Sequence, residues 1–394
     1  MKVLAVCVRV PEQGKKGDQV LSFHRLKYLS RNHTITLICF GSYASDAKAV
    51  ENLSLLGITV KLIAWSNLIA IKNALTNVFF SSLPFQCALF KCATFAKAVK
   101  QCLKDFEPDV VYAVMIRVLI NLPDNKLPLF IDMIDSMGLN FSRRMAIESG
   151  LKKYALGIEF KRIRSYEISA AKTADLSFVV SRVDQKFIDS SKVKALPLGI
   201  DKLQLSDEIL DHHPRSIVFS GNMNYEPNID AVLWFNEHCW RKIKEAFPDL
   251  LWVIAGSNPS NEILALKSDK NIKVTGRVPS LTSVIRTAIL SIAPMQSGSG
   301  MQFKILEAMS CGVPVVSTSL GLGDISAIPD QDVVIADSSD SFTQAIFDLL
   351  SSPHRSEIIG ENGRKFVNVN HSWDMLNAEF EANTFAKLSL QKRL

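Results

Sequence analysis

No window of this 394-residue sequence approaches the ~20 consecutive apolar residues that a membrane-spanning helix needs. The opening, MKVLAVCVRVPEQ, carries only the short apolar run Val3–Val8 before Arg9, too brief for the core of a secretion signal. The expectation is a cytoplasmic chain, with a peripheral contact at the inner face of the membrane left open. Its seven cysteines are odd in number and scattered through apolar stretches, with no C-x-x-C pair and no Cys/His cluster. That excludes a disulfide framework and reads as reduced thiols. The seven histidines lack any metal-binding spacing, and His212-His213 reads as linker. Asp330-Gln-Asp332 has the D-x-D form but follows Pro329 instead of a buried strand, so no metal is expected. Neither G-x-S-x-G nor G-x-x-x-x-G-K-[ST] occurs, and the first strand is not followed by G-x-G-x-x-G. These absences argue against serine hydrolases, P-loop NTPases and nicotinamide enzymes. Charge of one sign is not concentrated either. The formal net charge of +6 is spread along the chain, and no nucleic-acid partner is expected.

What is present is a well-stocked core, 47% hydrophobic against 21% charged residues, in a length suited to two domains. Continuous apolar runs mark strands buried on both faces at Val3–Val8, Ile35–Phe40, Thr59–Ile63, Asp109–Val114, Leu129–Ile131 and Leu176–Val180. Helical stretches lie between most of them. The pattern restarts at Ser216–Ser220 and continues through Leu251–Ala255, Ile272–Thr275, Ala288–Ala293, Val313–Ser317 and Val333–Ile335. This alternation predicts an α/β fold of two Rossmann-like, doubly wound domains, 1–195 and 212–371, joined by a linker at 196–211 and followed by a segment at 372–394. Ligand is expected where the carboxyl ends of the strands of both halves face each other across a cleft. Two stretches stand apart from this scaffold. Residues 67–100, apolar and aromatic, read as core helices of the first domain, with an acceptor- or lipid-facing side as the alternative. Residues 143–172, rich in Lys and Arg, read as a long solvated helix, with a docking surface as the alternative.

Chemistry concentrates in Ala293–Thr318, which reads as strand, Gly-rich loop, helix, Gly stop, Pro and strand. Gly298 and Gly300 free the backbone to approach a ligand, and a helix opening near Met301 presents unpaired N–H groups. Together these make an anion site suited to a diphosphate. Lys304 lies one turn in and adds a positive charge. Glu307, three residues further on the same helix face, offers a carboxylate to both hydroxyls of a ribose. Gly312 suits the position just past the helix end, and Pro314 enforces the exit into the next strand. The plainer alternative is a surface pair between Lys304 and Glu307, with the glycines serving tight packing.

The set Gly298, Gly300, Lys304, Glu307-Ala308-Met309, Gly312 and Pro314-Val315-Val316 resembles the donor-binding signature of glycosyltransferase family 4, retaining enzymes of the GT-B fold. Within that family the bacterial polysaccharide-type sugar transferases look most similar. The resemblance extends to Gly14-Lys-Lys-Gly17-Asp18 ahead of a helix with His24, and to Pro108-Asp-Val-Val-Tyr112, Phe178-Val-Val-Ser181 and Leu196-Pro-Leu-Gly-Ile-Asp201. In the second half it takes in Phe219-Ser-Gly-Asn-Met-Asn224, Pro227-Asn-Ile-Asp230 and His371-Ser-Trp373. Two places depart from the family pattern. Ser299 stands where many members carry Glu, and Asn222, Met223 and Asn224 stand where many carry Arg and Lys, which shifts the charge burden to Lys304 and the helix N-terminus.

The resemblance implies a metal-independent, hexosyltransferase-type enzyme without a cofactor. It would move a sugar from a nucleoside-diphosphate sugar to an acceptor hydroxyl, with retention, in bacterial surface polysaccharide or glycoconjugate biosynthesis. It implies donor contacts from Gly221, Asn222, Met223, Gly298, Ser299, Gly300, Met301, Gln302, Lys304 and Glu307 in domain 212–371. It places the acceptor, a lipid-linked saccharide, polysaccharide or other hydroxyl compound, on domain 1–195 with the loop Gly14, Gly17 and Asp18. The segment 372–394 would cross back onto that first domain. Catalytic roles fall to Lys304 and Glu307, and to Asp132 and Asp135, which leave a buried strand where related enzymes meet the reacting sugar. An Asx turn or helix cap is the alternative for each aspartate. Two rival functions fit the same fold: a sugar-nucleotide epimerase and a non-catalytic scaffold or regulatory subunit.

Overall fold

The computed structural model describes residues 1–13, 17–65, 70–71, 73, 82–200, 215–297, 302–386 and 388. They form two compact units, Met1–Leu198 together with the chain from Trp373, and Gly199–Ser372. Unit 1 is built on a parallel sheet of β1 (Lys2–Cys7), β2 (Thr34–Phe40), β3 (Thr59–Ile63), β4 (Val110–Val114), β5 (Leu129–Ile134), β6 (Leu176–Val179) and β7 (Val193–Ala195). Their order is β3-β2-β1-β4-β5-β6-β7. Unit 2 repeats the same winding with β8 (Ser216–Ser220), β9 (Leu251–Ala255), β10 (Ile272–Gly276), β11 (Leu290–Ala293), β12 (Val315–Ser317) and β13 (Val334–Ile335). Their order is β10-β9-β8-β11-β12-β13, again all parallel.

Burial explains which runs became strands. Every residue of β4 and β8 is buried, as expected for central strands covered by helices on both faces. At the edge, β3 alternates, with Thr59 and Lys61 exposed. The strand β7 was not anticipated. It has three residues around Lys194, too few to show a pattern, and it is held by pairing with β6. In the described part of 67–100, the helices Phe85–Ala88 and Ala93–Asp105 place Cys87, Phe95, Ala98 and Val99 in the unit 1 core.

The helix Trp373–Asn383 is riveted into unit 1 through the helix Gly17–Leu29. Arg25, almost fully buried, is the rivet. Its Nη1 donates to Asn377 Oδ1 at 2.8 Å and its Nε to Asp132 Oδ2 at 3.3 Å, and its guanidinium lies 4.0 Å from the centroid of the Phe380 ring. Tyr112 donates its hydroxyl to the same Asp132 oxygen at 2.5 Å. Asn377 Nδ2 donates to the His24 carbonyl at 3.1 Å, and the His24 ring stacks on Trp373 at 4.3 Å. Replacing Arg25 by Met leaves the Asp132 carboxylate buried without its cation. The expected loss is about 3–5 kcal/mol, read from the denaturant midpoint of unit 1. The double variant Arg25→Met, Asp132→Asn should recover part of that loss. Equal stability of wild type and Arg25→Met would show that the rivet carries nothing.

Candidate functional site

The strand order of unit 2 reverses between β8 and β11, the place where a doubly wound sheet leaves room for a ligand beyond its strand ends. Beyond β8 the chain turns through Gly221, at φ +154°, whose N–H donates to the Ala255 carbonyl at 3.0 Å. The facing turn passes through Gly256, where a Cβ would lie 1.6 Å from the Gly221 oxygen. Only glycine lets these two turns touch. Met223 is fully buried beneath the turn, and its N–H donates to the Ser257 carbonyl at 2.8 Å. The Asn222 carbonyl accepts from Asn228 Nδ2 at 2.9 Å. Asn228 lies in the first turn of the helix Glu226–Phe235, so one amide joins this turn to what lies beside it.

What lies beside it is Lys304, in the helix Phe303–Ser310. The lysine is 7% exposed. Its Nζ donates to Asn228 Oδ1 at 2.5 Å, lies 3.2 Å from Met295 Sδ and 3.4 Å from Gln302 Oε1, and sits 4.7 Å from the Phe219 ring centroid. Burial pulls the ammonium down to about 7, against the opposing attraction of Glu307. Glu307 is half-buried, and among the described residues its carboxylate has no hydrogen-bond partner. Burial pushes it up to about 7, with Lys304 opposing. The two are therefore no surface pair, because the bond from Lys304 goes to Asn228. The helix ends at Gly312, φ +72°, where the Gly312 N–H donates to the Met309 carbonyl and the Val313 N–H to Ala308, a Schellman closure. Gly298, Ser299, Gly300 and Met301 lie outside the described residues, as does Gly14 of unit 1.

In unit 1 the corresponding reversal lies between β1 and β4. Asp18 is held by Arg9 through two bonds, of 2.6 and 2.9 Å, which neutralise it. Gly17 opens the adjacent helix, and a Cβ there would meet nothing within 4 Å. Past the strand ends the backbone is strained. Met115 has φ +67° after β4, and Ile134 has φ +72° at the end of β5. The Asp135 N–H donates back to the Met133 carbonyl at 3.1 Å, which closes a γ-turn over Ile134. A β-branched residue in this region costs about 1–3 kcal/mol, the kind of strain that collects at functional sites.

The two aspartates part company here. Asp132 is buried and committed to Arg25 and Tyr112, which makes it a structural carboxylate instead of a group free to meet a sugar. Asp135 emerges beyond the γ-turn with its side chain exposed. Desolvation by the surrounding protein and then repulsion from Asp184 push it up to about 6, against the pull of Arg143.

Beside it Ser136 caps the helix Met137–Ile147, accepting from the Leu139 N–H at 3.0 Å. Buried Glu167 accepts from the Ser136 hydroxyl at 3.0 Å and from the Gly138 N–H at 3.1 Å. Burial pushes Glu167 up to about 7. Sequence reasoning missed Asn228, Glu167 and Asp184. Their partners lie far along the chain, and only the Asn beside the Gly221 turn left a trace, within Pro227-Asn-Ile-Asp230. Among the described residues no group of three or more His, Cys, Asp and Glu is placed to hold a metal ion. Asp332 accepts from the Ile328 N–H at 2.9 Å and Asp330 pairs with Arg355, so the D-x-D run is a turn.

The half-buried carboxylate makes a signed prediction. Between its ordinary value of 4.5 and about 7 the folded state holds a Glu307 proton that the unfolded chain has lost. That stabilising contribution is present below 4.5 and is lost as pH rises through about 7. The stability of Glu307→Gln relative to wild type should therefore climb across this window and level off above it. Thermal unfolding of both proteins over the range checks this, and a pH-independent difference would refute the desolvation of Glu307.

Residues 214–352 match the family model described as glycosyl transferases group 1. Over 143 residues the chain is 28% identical to a GDP-mannose-dependent monoacylated alpha-(1-6)-phosphatidylinositol monomannoside mannosyltransferase of Corynebacterium glutamicum. That match takes in 33% of this chain and 38% of the relative, well under half of either. Among solved structures, sucrose-phosphate synthase from Thermosynechococcus elongatus superposes with a TM-score of 0.70 at 11% identity, covering 99% of this chain and 100% of that one. Anabaena HepE, solved in complex with UDP-glucose, superposes with a TM-score of 0.64 at 15% identity, over 98% and 100% of the two chains. At such identities these are likenesses of fold. The chain accordingly has the GT-B-type fold of two Rossmann-like α/β units, and its second unit is related in sequence to the group 1 glycosyl transferases.

Proposed function

We propose that the chain is a glycosyltransferase that moves a sugar from a nucleoside-diphosphate donor to an acceptor hydroxyl, with retention. Unit 2 holds the donor. The observation that carries this reading is the buried Lys304 ammonium beside the Glu307 carboxylate, to which no described residue donates, at the β8/β11 reversal. An ammonium desolvated among an amide oxygen, a thioether and an aromatic face lacks a full counter-anion. A diphosphate supplies one, and Glu307 stands ready to accept the ribose hydroxyls. A C. glutamicum relative named for GDP-mannose and a fold relative solved with UDP-glucose both point to nucleoside diphosphates.

As the bond from the sugar C1 to the diphosphate breaks, charge grows on the leaving phosphate. Lys304 and the first-turn N–H groups of its helix stabilise that charge. A new bond forms from C1 to the acceptor oxygen, and the acceptor proton passes to the departing phosphate. Asp135, pushed up to about 6 at the end of the strained β5, is the catalytic carboxylate that unit 1 offers. The acceptor is a lipid-linked saccharide or growing surface polysaccharide. The donor loop Gly298–Met301 contributes backbone donors, and Gly221, Asn222 and Met223 shape the floor.

Lys304→Ala should lower turnover about 10²- to 10³-fold, the scale for loss of one electrostatic donor. Glu307→Ala should weaken nucleotide binding by about 1–3 kcal/mol. A thermal-shift panel of UDP, GDP, ADP, CMP, dTDP and NAD on wild type and Glu307→Ala tests the assignment. One diphosphate at ~100-fold above its Kd should stabilise wild type by about 2.7 kcal/mol and the variant far less. A flat panel with near-normal activity in both variants would overturn the site.

A further inference from the structure

The helix Gly150–Thr173 carries Lys152, Lys153, Lys161, Arg162, Arg164 and Lys172, but its carboxylates are Glu159 and Glu167 alone. Both turn inward. Glu159 accepts from the N–H groups of Phe85 at 2.9 Å and Gln86 at 3.3 Å, and Glu167 is buried against Ser136 and Gly138. The outward face therefore presents cations with no acid from its own helix. Glu148, just ahead of the helix, reaches only Lys152, at 3.7 Å.

The first turns of that face are apolar. Leu151, Tyr154 and Ile158 are 89%, 72% and 41% exposed, and their three- and four-residue spacing puts them in one stripe. Phe85, also exposed, is tied beside them by its bond to Glu159. Lys161 and Ser165 continue the stripe at the same spacing, along a groove of about 620 Å³ whose lining includes Arg164, Ile168 and Lys172. A helix that merely faces water mixes acids with its bases and does not expose Leu and Tyr in register. An apolar stripe flanked by cations, with the acids withdrawn, is the pattern of a helix lying in a lipid interface.

We propose that this face of unit 1 docks on an anionic lipid bilayer. Leu151, Tyr154 and Ile158 enter the boundary between headgroups and acyl chains, and Lys161 and Lys172, exposed on the same side of the helix, meet lipid phosphates. The docking is independent of the donor assignment, since none of these residues belongs to it.

Flotation of the full chain with vesicles of phosphatidylcholine alone, or mixed with phosphatidylglycerol, tests this. The wild type should float with the mixed vesicles only, and less as salt is raised. The double variants Leu151→Ser, Tyr154→Ser and Lys161→Glu, Lys172→Glu should each weaken binding about tenfold or more. Their thermal unfolding should stay unchanged, and the single exposed change Lys161→Gln, with a smaller loss, serves if a double variant fails to fold. Equal flotation on both lipids, no flotation, or binding unmoved by the variants would overturn the proposal. A wild-type dimer in sedimentation that Leu151→Ser, Tyr154→Ser dissociates would give the face to a second copy instead. The nucleotide panel reads unit 2 separately, so either result stands without the other.

Discussion

An ammonium group kept out of water governs the candidate site in unit 2. Burying such an ion costs several kcal/mol, and the neighbours of Lys304 return only part of it. They are an amide oxygen, a thioether and an aromatic ring, with a carboxylate nearby that makes no bond to it. The surrounding backbone is fitted to this arrangement. Asn228 is held at both ends, donating to Asn222 and accepting from Lys304. Its amide nitrogen would sit 2.8 Å from any Cβ at Gly221, so the glycine protects the bond that positions the lysine. Unit 2 thus keeps a buried ammonium to which no described carboxylate is bonded, a local breach of good packing of the kind folds tolerate at sites of use.

Unit 1 has the same strand order and solves a different problem at its own reversal. Its strand ends carry left-handed residues, Met115 and Ile134, at the exits of neighbouring strands, with the half-buried Arg117 just beyond β4. The pairing of β5 with β6 slips between Asp132 and Ile134, and that slip separates two aspartates three positions apart. One is drawn into the core to hold Arg25, and the other is turned outward. Glu167 and Asp184 fix the turn from below, Asp184 by accepting from the Ser136 N–H at 2.9 Å.

The strands were legible because parallel sheets demand continuous apolar runs, and such runs survive without context. The strand β7 was not, because Lys194 breaks a segment of only three residues. In the candidate site the helix with Lys304 and Glu307 and its glycine stop could be read locally, since caps and spacing are local properties. The partner of Lys304 could not, for Asn228 stands 76 residues away and only the folded sheet joins them. Asp132 stayed a candidate beside the favoured Asp135 for the same reason: a one-residue irregularity decides which face each reaches. Residues 143–172 read as a solvated helix because charges can be counted in a sequence but their directions cannot. The structure shows Glu167 buried and Glu159 taken up by two backbone N–H groups, with Leu151 and Tyr154 turned out.

The rivet at Arg25 also bears on the order in which the chain can mature. The helix Trp373–Asn383 supplies Asn377 and Phe380 to unit 1, yet it leaves the ribosome only after all of unit 2. Unit 2 is one continuous stretch and can close as soon as it is made. The first two hundred residues must wait, with Arg25 and Asp132 facing an unfilled groove, until translation has moved past Phe380. Synthesis from the N-terminus therefore completes the second unit before the first. A nascent chain halted between the two carries a finished second unit on an unfinished first.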